Sequence, residues 1–166
     1  MDRDDGFEEF YRASRHRVVT VLYALGGDIH EAQDVAQEAY VRAWQRWRRI
    51  SEYDDPEAWV HVVGNRLLQN RWRKIRNGIT AHRRNGPATA VGPPSENTVA
   101  LVTALRQLPR DQREAIVLYH IADLSVADIA TRTAVPVGTV KARLARGRKA
   151  LAPLLGTTLP EEVSNA

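Results

Sequence analysis

A chain of 166 residues with 43% hydrophobic and 27% charged content can build one folded domain or two small ones, and is too apolar for a disordered coil. Its net charge of +4 and pI near 9.8 suit an acidic partner such as nucleic acid without demanding one. The absence of cysteine excludes disulfides, zinc–thiolate sites and thiol catalysis.

The amino end, MDRDDGFEEF, is acidic and lacks the apolar core of a secretory signal. No apolar run approaches the roughly 20 residues that span a bilayer. A cytoplasmic protein with no membrane insertion is expected. A first helix is predicted from about Phe7 to Leu25, stopping at the GGD that follows. In EAQDVAQEAYVRAWQRW, Ala32, Val35, Ala36, Ala39, Tyr40, Ala43 and Trp47 recur at steps of three and four, one apolar stripe of a second helix. Asp28 followed by Glu31 resembles a capping box, the carboxylate at 28 accepting backbone N–H groups. Trp44 and Trp47 are expected in the core. A third helix is predicted from Glu57 to about Arg76, after a proline that suits a first turn.

On the second helix Asp34 and Glu38 stand four apart beside Gln37. Carboxylates at this spacing suit a metal or acid–base work, a solvated face, or a surface for basic residues of a protein partner. No histidine or third carboxylate is placed to complete a metal site. Charge is lopsided here: residues 1–41 hold nine acids and four bases, residues 42–77 four acids and nine bases. From Arg66 to Arg76 five bases occur without an acid, Arg71 and Arg73 among them, and Trp59 and Trp72 are interleaved. Basic and aromatic side chains together suit unstacked bases on a phosphate backbone, with core packing as the other use of each tryptophan. Asn65, Arg66 and Gln69 lie within one turn and are placed to read or clamp nucleotides. The loop from Arg49 to Asp55 could wall a pocket for a flipped base.

Residues 78–97, with three glycines, three prolines and no periodicity, read as a flexible linker able to span roughly 65 Å when extended. Beyond it, Ser125 stands as an N-cap with Asp128 three residues on, and Val126, Ile129 and Ala130 give a short helix its apolar face. The TAVP that follows breaks it, because a residue preceding proline leaves helical geometry. A longer helix begins near Val137, with Val140, Leu144, Leu151 and Leu155 toward the core. Short helix, tight turn and longer helix make a helix-turn-helix, whose second helix enters the major groove. The nine positions from Lys141 to Lys149 hold five bases and no acid. Lys141, Ala142, Ala145 and Arg146 share the face away from Val140 and Leu144. Arg146 can donate two hydrogen bonds to a guanine, Lys141 can reach a guanine or a phosphate, and Arg143, Arg148 and Lys149 flank them toward phosphates.

These stretches together resemble the bacterial extracytoplasmic-function (ECF) sigma factors, the minimal two-domain members of the sigma-70 family. FEEFYRA…DVAQEAYVRAW followed by PEAWVHVVGNRLLQNRWRK is similar to sigma region 2. LPRDQREAIVLYHIADLSVADIATRTAVPVGTVKARLARGRKAL is similar to region 4. The resemblance implies an all-α chain of two small helical domains: region 2 over 1–77, the linker over 78–97, region 4 over 98–155 and a tail over 156–166. It implies that Asp34, Gln37 and Glu38 dock onto the β′ clamp helices of core RNA polymerase. It implies that Trp59, Asn65, Arg66, Gln69, Arg71 and Arg73 serve the −10 promoter element. Thr139, Lys141, Ala142, Arg143, Ala145, Arg146 and Arg148 would serve the −35 element, region 4 also touching the β-flap. Regulation by an anti-sigma factor is a habit of that family. Where the family often has Asp and Ser, this chain has Gln69 and Ala142, so no promoter sequence transfers from a relative.

Three functions come into question for a chain of this pattern. A transcription initiation factor absorbs both halves of the chain. A stand-alone helix-turn-helix regulator, whose first lobe dimerises or binds a ligand, would bind duplex DNA without polymerase, usually at two-fold symmetric sites. An enzyme finds no support: there is no glycine-rich phosphate loop, nucleophile–base pair or metal cluster, so no catalytic residue, cofactor or metal is expected.

Overall fold

The computed structural model describes residues 3–78 and 92–156. Those residues form eight helices and no strand, and the chain divides into two compact units, Met1–Pro94 and Ser95–Ala166. Most of the expected linker, residues 79–91, and nearly all of the expected tail, 157–166, lie outside the described residues.

The first unit holds α1 (Arg3–Gly26), α2 (Ile29–Gln45), α3 (Trp47–Ile50) and α4 (Pro56–Arg76). α1 is longer than the sequence pattern predicts and stops where Gly27 turns to φ 78°, a conformation that favours glycine. Asp28 caps α2 as expected, its carboxylate accepting from the backbone N–H of His30 and Glu31. The Glu31 Oε1 accepts from the Trp72 indole of α4 at 3.0 Å. The apolar stripe overruns α2: the chain turns at Arg46, and Trp47 opens the four-residue α3. α4 has Pro56 in its first turn and is capped by Asp55, which accepts from Ala58 N–H at 2.9 Å.

The core of this unit is Val18, Val21 and Leu22 from α1, Ala32, Val35, Ala39 and Ala43 from α2, Ile50 from α3, and Val60 and Leu68 from α4. The small residues let α2 approach closely. Gly64 does the same for α4, since a Cβ there would meet Leu22 Cδ2 at 2.8 Å. Beside this core Phe10 stacks on Trp47 with centroids 4.9 Å apart, and Tyr11 meets Tyr40 edge-on at 4.8 Å. Ser14 donates to the Phe10 carbonyl and therefore receives the Tyr40 hydroxyl proton, both at 2.7 Å. Burial pushes the Tyr40 phenol well above its ordinary pKa. Trp44, expected in the core with Trp47, is instead 45% exposed on the outer side of α2.

The second unit holds α5 (Glu96–Leu105), α6 (Arg110–His120), α7 (Val126–Thr133) and α8 (Val137–Leu154). Ser95 caps α5, so Glu96 and Asn97, assigned to the linker from sequence, form its first turn. Ser125 caps α7 as expected, accepting from Asp128 N–H at 3.0 Å. α7 ends because Ala134 adopts a left-handed conformation, φ 57°, and Val135 then leads to Pro136, the N-cap of α8. Leu105, Leu118, Ile129, Val117, Val140 and Leu144 fill the core. Ala130 is buried, and Gly147 marks a close approach of helices: its Cβ would sit 2.8 Å from Ile116 Cγ1 of α6. Leu155, expected in the core, is 42% exposed, because α8 ends at Leu154 after Pro153 enters its last turn.

Candidate nucleic-acid and protein interface

Three helical faces carry the residues singled out from sequence. On α2, Gln37 is exposed and Asp34 and Glu38 are partly exposed. The same face continues into Val41, 51% exposed, and Trp44. Large apolar side chains left open in sequence with polar ones mark a protein contact more readily than a purely charged face does. Glu38 is also engaged within the unit. Its Oε1 accepts from Arg42 at 2.9 Å, and its Oε2 lies 3.8 Å from Arg71 on α4.

On α4, Arg66 and Arg73 are exposed, and Trp59, Gln69 and Arg71 are partly so. Asn65 is 6% exposed, and its Oδ1 accepts from Gln69 Nε2 at 3.4 Å. Arg73 donates to Asn70 at 2.7 Å. Tyr53 in the loop before α4 and Ile75 near its end are exposed apolar residues, 36% and 57%, that sequence periodicity did not pick out.

A charge cluster missed from sequence fixes the amino end of α4. Arg17 of α1 grips Glu57 through Nε and NH2 at 2.9 and 2.8 Å, and His61 Nε2 reaches the same carboxylate at 3.3 Å. Burial by itself would raise the Glu57 carboxyl, but hydrogen bonds and charge from His61 and Arg17 outweigh it and hold the pKa down at about 2. His61 is 1% exposed, and its Nδ1 has no hydrogen-bond partner. The i,i+4 spacing of 57 and 61 was legible; the 40-residue reach from Arg17 was not.

On α8, Lys141, Ala145 and Arg146 are exposed, and Thr139 and Ala142 partly so. Two of the flanking arginines rest on α6. Arg143 lies 3.6 Å from Asp111, and Arg148 donates through Nε to His120 Nε2 at 3.1 Å while its guanidinium sits 5.4 Å from the Tyr119 ring centroid. Lys141, Ala145 and Arg146 therefore form the open strip of the helix, with no acid on it. Near the turn before α6, burial first and then the charges of Arg106 and Arg110 lower the Arg113 pKa. Among the described residues no group of three or more His, Cys, Asp or Glu side chains could hold a metal ion, and no helix is long and apolar enough to cross a membrane.

A family model described as Sigma-70 region 2 matches residues 10–78, and one described as Sigma-70, region 4 matches residues 98–151. The chain belongs to the sigma-70 family. Among its relatives, the probable RNA polymerase sigma-C factor of Mycobacterium bovis is 33% identical over 151 residues, covering 87% of this chain and 80% of the relative. The ECF RNA polymerase sigma factor SigW of Bacillus subtilis is 30% identical over 166 residues, covering 89% and 87%. These relatives place the sigma factor in the ECF group. Its fold is that of RpoE from Bartonella quintana, solved with the anti-sigma factor NepR, at a TM-score of 0.77 and 22% identity over 93% of this chain and 99% of that one. CnrH, solved with the cytosolic domain of CnrY, superposes at a TM-score of 0.65 and 22% identity, covering 92% and 89%. In this sigma factor α2 and α4 lie within the region 2 match, and α6 to most of α8 within the region 4 match.

Proposed function

We propose that the chain is an initiation factor that joins core RNA polymerase, directs it to promoters by the −10 and −35 elements, and helps open the DNA. It acts in the cytoplasm with the polymerase and catalyses no reaction itself. The observation that carries this is the ordered match to sigma regions 2 and 4 across both structural units. Asp34, Gln37 and Glu38, extended by Val41 and Trp44, offer α2 to the β′ clamp helices: acids and an amide for basic partner residues, a valine and an indole for apolar burial. Arg66, Arg71 and Arg73 meet phosphates along α4 while Gln69 and Trp59 face bases. Capturing unstacked bases offsets strand-opening costs of roughly 1.4 kcal/mol per base-pair step. Lys141, Ala142, Ala145 and Arg146 read the −35 element, with Thr139, Arg143 and Arg148 on its backbone and region 4 against the β-flap. An anti-sigma factor belongs among the proposed partners, by the habit of the family.

The stand-alone regulator would use the first unit to dimerise or bind a ligand, and the match of residues 10–78 to sigma region 2 makes it the weaker reading. Co-elution of the purified chain with bacterial core RNA polymerase on a sizing column tests the choice. A stoichiometric complex, lost in the Asp34→Arg/Glu38→Arg variant, is expected. A folded chain that ignores core yet retains duplex DNA by itself would restore the regulator.

A further inference from the structure

The geometry points to Glu38 as a counter-ion that holds Arg71 back from nucleic acid until a cationic partner engages α2. This rests on the reading of α2 as the docking face and α4 as the nucleic-acid face. The sequence separates the two by charge, an acidic first half and a basic second half of the unit, but the fold brings them into contact. One Glu38 carboxylate faces two guanidiniums. The Oε1 contact to Arg42, at 2.9 Å on the same helix, is a hydrogen bond; the Oε2 contact to Arg71, at 3.8 Å across to α4, is an ion pair beyond hydrogen-bond length. The longer contact is the easier one to exchange.

The side chains of Glu38 and Arg71 are 42% and 29% exposed, so the pair is weak and solvent-screened, and neither ion is locked in. A partner that brings a lysine or arginine against α2 would compete for the same carboxylate. Arg71 would then lose its counter-ion and become available to a phosphate. Trp72, the next residue, is tied to α2 as well, through Glu31 at 3.0 Å, so α4 stays seated while Arg71 alone changes partner. Docking and nucleic-acid binding are thereby coupled through one shared acid, and Glu38 is a positioning residue rather than only a docking contact.

The test is a double-mutant cycle on the full chain, reading affinity and salt dependence for a fluorescent mixed-sequence single-stranded oligonucleotide. In the free chain Glu38→Gln should tighten binding about three- to fivefold, the size of a surface ion pair. It should also steepen the log–log salt slope by about 0.7, one further phosphate contact on a single strand. Glu38→Gln/Arg71→Gln should lose that gain, in affinity and in slope alike. Glu9→Gln, which removes an exposed charge on α1, controls for general electrostatics and should be additive with Arg71→Gln. With core polymerase bound, wild type and Glu38→Gln should converge, and Arg71→Gln should now weaken binding. A gain that survives in the double variant, or no gain from Glu38→Gln, overturns the inference. Failure of the wild type to bind core, with the free-chain cycle intact, would remove the docking reading while leaving the Glu38–Arg71 hold in place.

Discussion

Glu57 stands where α1 and α4 exchange charge, and its consequence is a pH dependence with a definite sign. Its folded carboxyl titrates at about 2 against an ordinary 4.5, so it is a group depressed by folding. Between those values the unfolded chain binds one proton more than the folded chain. The stabilisation is therefore complete above pH 4.5 and is lost as pH falls through about 2. One proton of difference corresponds to a slope of about 1.4 kcal/mol per pH unit. Glu57→Gln should remove up to that slope in urea unfolding followed by circular dichroism across this window. At pH 7 it should also cost about 1–3 kcal/mol, since Arg17 and the buried His61 lose a charged acceptor. A variant with wild-type slope in the acid window would show that the cluster does not titrate as a unit with folding. Asn65 makes a second point at the same scale. Its polar type and spacing suit a reader, and the fold leaves it 6% exposed with Gln69 donating to its Oδ1; residue type names chemistry, and packing says how much of it is open in the free chain.

The helices were legible wherever their cause is local. Asp28, Pro56 and Ser125 act as caps or first-turn residues because their partners lie within three residues along the chain, and the apolar stripe of α2 predicts its buried side. What escaped has a non-local cause. The α2 stripe runs on to Trp47 because period alone cannot show the break at Arg46, and period likewise does not show that Trp44 is 45% exposed. That α8 lacks acids from Lys141 to Lys149 is plain from sequence, but that Arg143 and Arg148 lean on α6 depends on Asp111, Tyr119 and His120 some thirty residues earlier. This sorts the arginines. Arg146→Ala should weaken binding of the polymerase complex to a −35-containing duplex by about 1–3 kcal/mol and relax the sequence preference, with polymerase binding unchanged. Equal loss on every duplex sequence would make Arg146 a phosphate contact instead. Gly147 belongs to the same helix and was silent in sequence, where a glycine only lowers helix propensity. Its Cβ position meets Ile116 Cγ1 at 2.8 Å and the Gln112 carbonyl at 3.4 Å. Gly147→Ala should destabilise the second unit by about 1–2 kcal/mol, overpacking outweighing up to about 1 kcal/mol of propensity gain, as read by thermal unfolding. A rise in melting temperature would mean that α6 and α8 can part without cost.

At the scale of the whole chain the division into two units decides what joining them achieves. Each unit closes its own core, Leu22, Val35, Ile50 and Leu68 in one and Leu105, Leu118, Ile129 and Leu144 in the other, so neither needs the other to bury its large apolar side chains. Promoter recognition as proposed is bivalent: one unit meets the −10 element and the other the −35 element. Covalent connection then acts through effective concentration, making the second contact intramolecular, and it adds no contact of its own. Cutting the polypeptide between the two units should leave both helical, each with its own cooperative unfolding transition. The cut halves should still occupy core polymerase through the first unit. Promoter affinity should fall by about 10²–10⁴ relative to the intact chain, and raising the concentration of the second unit should recover it. A cut chain that unfolds as one body would mean the units share stability. One that keeps full promoter affinity would mean that polymerase itself, and not the connection, holds the second unit in place.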